Sequence, residues 1–512
     1  MGFPATFSLP TSLLSFPSQV GDTTQSSADL RDAAVANLLD RVRELVTKVI
    51  AELPRDCSSF RELEERLHRD IGRCLDSVMV AVLQAACGSD HVLDAVNRLL
   101  HCRPHLRCQK SGQEVTITFL GGTKHTLSTP YFLNRPPRGR GRPRGRGKRG
   151  PACGNGVYPF LAVLGIHNRA TPALASEVAL QVSCGTIDQA HERLARRGVK
   201  LGKKRITSLL KSVGSRALDY REQSILSGNA TEIGSVVGRR LAVGTDGGRL
   251  RTRFLKKRGR KNAKGSRGFH APWKEPKVLT LYEIDENGKR LREHGFCYYD
   301  ATMEDADQAF RILAGLLRSI GAAEAKEWIV VGDGARWIWN RIDDLIEEVG
   351  YTREQVTEVI DLYHARQKLY EFADAVKSFT DRQRRRWFGK MKRYLDQGNI
   401  EEMEAEFARF YRGCNSKARR KIAAYFHKNA NRMRYKEFKE RGIPRGSGAV
   451  ESCVRRLVNL RMKGNGIFWT LESSERLLTL RGQYLSDTWD DFVDRILQPV
   501  EFWSSTKSLE AR

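Results

Sequence analysis

Three things are scarce in this 512-residue chain. No run of about twenty apolar residues occurs, so no membrane span is expected. The ten cysteines are scattered without C-x-x-C pairs, which argues against a disulfide framework and for reduced thiols. Even HCRPHLRC, with His101, Cys102, His105 and Cys108, lacks the close pairs of a zinc element. Acids are the third shortage: 60 Asp and Glu stand against 88 Lys and Arg, a net charge of +28. Such an excess points to a polyanionic partner, because each Lys or Arg that neutralises a phosphate releases a condensed counterion; nucleic acid leads. The shortage is extreme in PRGSGAVESCVRRLVNLRMKG. There Glu451 is the only acid between Glu440 and Glu472, among Arg445, Arg455, Arg456, Arg461 and Lys463. It is either a local partner for Arg455 or something a site requires.

What is present is ordinary for a folded chain: 40% hydrophobic and 29% charged residues, enough for well-buried cores in several domains. Residues 1–27, broken by Pro4, Pro10 and Pro17 and without a basic start, read as a disordered leader. Residues 28–134 carry apolar positions at helical steps (Leu38, Leu39, Val42, Leu45, Val46; Leu63, Leu67, Ile71, Leu75), then two short strands, EVTITFLGG and HTLSTPYFL. The linker at 135–150, RPPRGRGRPRGRGKRG, cannot form helix or sheet. Its Arg140-Gly141-Arg142-Pro143 core resembles an AT-hook, an extended strip whose arginines enter the A·T minor groove; the plainer alternative is a basic linker for any nucleic acid. In 151–235 three helices suit either a helix-turn-helix or a plain bundle. Lys203, Lys204 and Arg205 flank the third helix, placed to meet DNA in the first case.

From 236 to 377, and again from 442 to 495, the pattern is α/β. Strands RLAVGTDGG, VLTLYEID and HGFCYYDAT precede a helix, the strand WIVVGDGA, a second helix, and VTEVIDLYHARQKLYEFADAV, a strand running into a helix. A polar helical stretch, 378–441, interrupts the unit before its last helix, and 496–512 is a tail. Asp246 and Asp333 each end an apolar strand between glycines, where a ligand can approach the backbone. Two carboxylates at neighbouring strand ends can share divalent ions, and Glu451, in the first turn of a helix capped by Ser447 or Gly448, could be the third. The bland alternatives are strand-end cap residues and an i,i+4 surface pair. Trp337, Trp339 and Trp469 could stack on an exposed base, or belong to the core.

VGTDGG, VVGDGARWIWN, DLYHARQKL and PRGSGAVESCVRRLVNLRMKGNGIFW, in this order, resemble bacterial insertion-sequence transposases of the DDE class, of the ISKra type, related to the Mutator-like superfamily. The resemblance spans roughly 241–492 and includes RGQYLSDTWDDF. It implies an α/β RNase H-like catalytic core with a mixed sheet and a helical insertion, preceded by mostly α-helical DNA-binding regions. It also implies catalytic and metal-binding acids at Asp246, Asp333 and Glu451, two Mg²⁺ ions with Mn²⁺ as substitute, and cleavage and strand transfer at the element's ends. Asp361 and His364 match a D/C-x-x-H element that supports the active site, as would Trp337. Arg455, Arg456, Arg461 and Lys463 would hold the DNA backbone. The implied partners are double-stranded DNA, as element ends and as target, and further copies of the chain assembled on it, in a bacterial cytoplasm near the nucleoid. A catalytically silent DNA-binding derivative and a structure-specific nuclease are the alternatives.

Overall fold

The computed structural model describes residues 27–51, 60–104, 106–134, 156–230, 233–256, 258–259, 261, 265, 267–291, 293, 295–412 and 416–498. The expected leader up to residue 26, the linker at 135–150 with Arg140 and Arg142, His105, and the tail beyond 498 lie outside them. The chain forms two compact units, residues 1–216 with 493–512, and residues 217–492. Among the described residues, no single helix is long and apolar enough to cross a membrane.

The first unit opens with helices α1 (Ser27–Ala51), α2 (Phe60–Cys87) and α3 (Asp90–His101), followed by an antiparallel hairpin of β1 (Leu106–Thr118) and β2 (Lys124–Asn134). The hairpin is longer than the two short strands expected, with pairing from Leu106 and Asn134 to Thr118 and Lys124. Its turn is clasped by buried Asp76, which accepts the N–H groups of Gly121 and Thr123, each at 2.9 Å. Three further helices follow as the sequence predicts: α4 (Pro172–Cys184), α5 (Ile187–Arg196) and α6 (Lys203–Tyr220). Pro172 opens α4 where its missing N–H costs nothing. Thr186 and Gln189 form a capping box that starts α5. Leu174, Val178, Val182, Ala190, Leu194, Ile206 and Leu209 are the core of this group.

The second unit is built on a mixed five-stranded sheet, compatible with the expected RNase H-like core. Its strands are β3 (Arg240–Gly247), β4 (Lys277–Glu283), β5 (Cys297–Thr302), β6 (Glu327–Gly332) and β7 (Val356–Ile360), in the order β7-β6-β3-β4-β5. β3, β4 and β5 are antiparallel neighbours, whereas β6 runs parallel to β3 and β7 parallel to β6. The central strands read LAVG and WIVVG because both faces are covered: Leu241, Ala242, Val243, Trp328, Ile329 and Val331 are fully buried. Helices α7 (Ala306–Ser319) and α8 (Ile342–Val349) follow β5 and β6, and α9 (Leu362–Ala375) follows β7. The helical insertion is α10 (Asp381–Gln397), α11 (Ile400–Ala408), α12 (Ser416–Lys428) and α13 (Tyr435–Glu440). It packs on α9 through an aromatic core in which Phe372 and Trp387 stack at 5.2 Å and Phe407 lies 4.6 Å from Phe372. The chain then returns to the sheet as α14 (Gly448–Val454), which runs through a π-turn and a last helical turn to Met462, and α15 (Leu471–Leu485) packs on β5. The α/β unit takes in residues ahead of 236, since Arg221 is buried between Asp300 and Glu475.

Candidate active site

Strand register sets the level of each acid. Val331 of β6 lies opposite Gly244 of β3, and Gly332 opposite Ile360 of β7. Extending the first pairing by two residues puts Asp333 opposite Asp246; extending the second by one puts Asp361 opposite Asp333. The three aspartates thus lie at one level at the carboxyl ends of three adjacent parallel strands, where open α/β sheets place ligands. Asp361 is held there by its own N–H, which donates to Gly332 O at 2.9 Å.

Glu451 reaches the same place from the other side of the insertion. Helix α14 lies across β3 and β4, and its Val450 sits so close that a Cβ on Gly244 would come within 2.3 Å of Val450 Cγ2. The glycine before the strand-end acid is therefore what lets the helix carrying Glu451 approach. The segment before α14 is tied to the third aspartate: Asp361 accepts the Ser447 N–H, and Leu362 N–H donates to Arg445 O at 2.9 Å. Ser447 precedes α14 as the sequence predicts, but it does not cap with its hydroxyl. Its backbone N–H is what matters, and its Oγ is buried with no partner among the described residues.

The charges interact. Asp246 is half-buried, and its Oδ1 accepts the N–H of Gly247 at 2.7 Å. Burial pushes its pKa up to about 6, with Asp333 and Glu451 adding to the rise and His364 opposing it. Asp333 Oδ1 accepts the Ala335 N–H at 2.9 Å, and its backbone carbonyl accepts the Trp339 indole N–H at 2.7 Å. Asp361, 1% exposed, caps α9 and accepts both the backbone N–H of His364, at 2.7 Å, and its Nδ1, at 3.1 Å. Burial alone would raise its pKa, but the hydrogen bonds from His364 and Ser447 outweigh it and hold it at about 2. His364 is shifted the other way: the bond to Asp361 raises its pKa against the effect of burial, and Asp333 and Asp246 add to the rise.

Glu451 is exposed, and among the described residues neither it, Asp246 nor Asp333 forms an ion pair. The local pair with Arg455 is thus not formed. Among the described residues no three acidic, histidine or cysteine side chains converge closely enough to hold a metal ion as they stand. Mg²⁺ asks for less, since it keeps several waters and takes one or two carboxylates plus substrate phosphate. Asp246, Asp333 and Glu451 offer hard oxygens only, the donor type that suits it.

The other expected residues divide. Arg455 and Lys463 are exposed. Arg456 instead turns inward, donating to the Tyr299 hydroxyl at 2.6 Å with its guanidinium 4.8 Å from that ring. Arg461 is 8% exposed and lies over Trp469. Trp337 is half-buried under the Lys277 ammonium, 4.3 Å from its ring, and Trp339 is buried beneath Arg432. In the first unit Lys204 is exposed, Lys203 pairs with Asp188 at 2.5 Å, and Arg205 is half-buried. Gly334, read from the sequence as room for a ligand beside Asp333, instead makes room for the insertion: a Cβ there would meet Tyr425 of α12 at 1.9 Å, so the insertion packs onto the loop that carries Asp333.

No family model matches the chain, and no curated protein matches it in sequence. Among solved structures it is similar to the Drosophila P element transposase strand transfer complex, at a TM-score of 0.21 and 10% identity, over 64% of this chain and 80% of that chain.

Proposed function

We propose that this chain is a DDE-type DNA transposase of the ISKra kind, which cleaves and joins DNA strands at the ends of an insertion sequence. One observation carries it: Asp246 and Asp333 stand level at the ends of adjacent parallel strands, and Glu451, without a cationic partner, enters the same field from α14. The order β7-β6-β3-β4-β5, with three antiparallel strands and two parallel ones, supports an RNase H-like core. The net charge of +28 supports DNA as the partner.

In this reading Asp246, Asp333 and Glu451 would hold two Mg²⁺ ions, which supply Lewis acidity at phosphorus and lower the pKa of an attacking water. The chain's own groups position the DNA. Asp361 accepts from His364 Nδ1, which fixes the ring and favours its charged form, so Nε2 remains a donor for a phosphate oxygen. Arg455 and Lys463, exposed beside the last helical turns, take the backbone on the outer side. Arg456 and Arg461 act through Tyr299 and Trp469, as supports of that segment. The AT-hook-like linker and the three-helix group α4–α6 would find the element's ends.

The test is single-turnover cleavage and joining with Mg²⁺ on labelled DNA spanning both borders of the chain's own coding locus. Glu451→Gln keeps shape and removes charge, and should lower the rate on the order of 10³-fold or more, about 4 kcal/mol, with DNA binding retained. Unchanged chemistry would remove Glu451 from the site. Cleavage without joining would make the chain a nuclease.

A further inference from the structure

The insert between β3 and β4, residues 248–276, carries eleven Lys and Arg against one acid, Glu275. Nothing in the chemistry proposed above uses it. It folds back in two short antiparallel ladders, Leu250–Arg251 with Trp273–Lys274 and Phe254–Leu255 with Phe269–His270. Arg249, Arg251 and Arg253 alternate with Leu250 and Thr252, which are 1% and 0% exposed. The period of two therefore puts three guanidiniums on the outer face.

Those guanidiniums interleave with rings. Arg249 and Arg251 lie 5.5 and 5.4 Å from the centroid of Trp273, Arg251 also 5.3 Å from Phe468, and Arg253 5.6 Å from Phe269. Phe269 and Phe468 meet edge to face at 5.0 Å. Among the described residues none of the three arginines has an acidic partner. Phe254, Leu255, Phe269 and Trp273 remain 38, 67, 38 and 51% exposed. The base of the arm is anchored: Trp469 N–H donates to Arg251 O at 3.1 Å and Arg253 N–H to Trp469 O at 2.7 Å. It begins two residues after Asp246, and Arg249 is near enough to Lys463 to add to the depression of that ammonium's pKa by burial. The basic row thus leads away from the acids.

We infer that this arm binds an unpaired stretch of DNA strand, its arginines taking phosphates and its ring–guanidinium rungs stacking with bases. A duplex could use the charges, but its bases are already stacked on each other and would leave the exposed rings facing water. Aromatic faces beside a cationic track are the chemistry of single-strand binding, and guanidinium planes stack on bases as well. The choice of DNA rests on the transposase reading; the arm itself does not depend on the three acids.

The experiment is fluorescence anisotropy with the full chain in EDTA, so that no chemistry is read, using labelled oligothymidylate, a duplex hairpin and oligouridylate. R249Q/R251Q/R253Q should lower the log–log salt slope on oligothymidylate by about 2, three contacts at about 0.7 each. Trp273→Ala should weaken the same binding on the order of ten-fold with the slope unchanged and duplex binding kept. Arg251→Lys, which keeps the charge and the fold but loses the planar stack, should hold the slope and lower the affinity. Unchanged oligothymidylate binding, equal losses on single strand and duplex, or tighter capture of oligouridylate would each overturn the inference. Such a failure would leave the Asp246, Asp333 and Glu451 reading untouched, because that is tested by cleavage.

Discussion

Two groups of carboxylates in the α/β unit are treated in opposite ways. Asp300 of β5 and Glu475 of α15 clasp Arg221 at 2.7 and 2.6 Å, with side chains no more than 12% exposed. Asp246 and Asp333 stand at adjacent strand ends with Glu451 in a helix start close enough for both to raise the pKa of Asp246, and none of the three forms an ion pair among the described residues. A buried acid with its guanidinium is a structural element. Acids gathered without a cation, in a chain with 88 Lys and Arg, leave a charge for something outside the chain to neutralise. His364, whose pKa Asp333 and Asp246 help to raise, is engaged by Asp361.

Breaking the paired group should have the larger effect on stability. Arg221→Met leaves two carboxylates buried and uncompensated, which should cost about 3–5 kcal/mol and appear as a clear fall in the thermal midpoint. The same treatment of the open group, Asp333→Asn, should leave the midpoint of the metal-free protein unchanged or raised, because it removes repulsion. A fall there comparable to that of Arg221→Met would erase the distinction.

Asp361 lies between the two cases, buried like Asp300 but beside the open acids. Its folded pKa of about 2 lies below the unfolded value, so its contribution is fully present above about pH 4 and is lost as pH falls toward 2. That contribution is about 2–3 kcal/mol from the shift in pKa. Asp361→Asn should remove it, so that the acid limb of its stability-against-pH curve is flatter than that of the wild type measured beside it.

The smallest expected effect concerns approach, not charge. Gly244→Ala would drive a methyl group into Val450, which should cost about 1–3 kcal/mol. It should also displace Glu451 from Asp246, so cleavage should fall more than stability does. An activity loss no larger than the stability loss would mean that α14 carries nothing functional.

Much of this was legible in the sequence, for physical reasons. WIVVGD and LAVGTD read as strands because strands buried on both faces become continuous apolar runs, and their acids fell where a strand must end. The three helices at 172–220 were legible in outline, and Pro172 and the Thr186–Gln189 box account for where two of them begin. Register was not legible: nothing local says that Asp246, Asp333 and Asp361 share a level, because pairing joins residues far apart in the chain. Nor was the inward turn of Arg456, which depends on Tyr299 in a distant strand. Ser447 showed the limit of local rules. It resembles a cap, yet its N–H serves Asp361, and only the return of the chain after the helical insertion brings the two together.

The most direct measurement of the central claim is thermal unfolding of the intact chain in EDTA and in millimolar Mn²⁺, beside Asp246→Asn and Arg221→Lys. A ligand that binds the folded state raises its midpoint by mass action. We expect Mn²⁺ to raise the midpoint of the wild type and of Arg221→Lys, and to leave Asp246→Asn where EDTA leaves it. An equal rise in Asp246→Asn, or no rise in the wild type, would contradict a cation site among the unpaired acids.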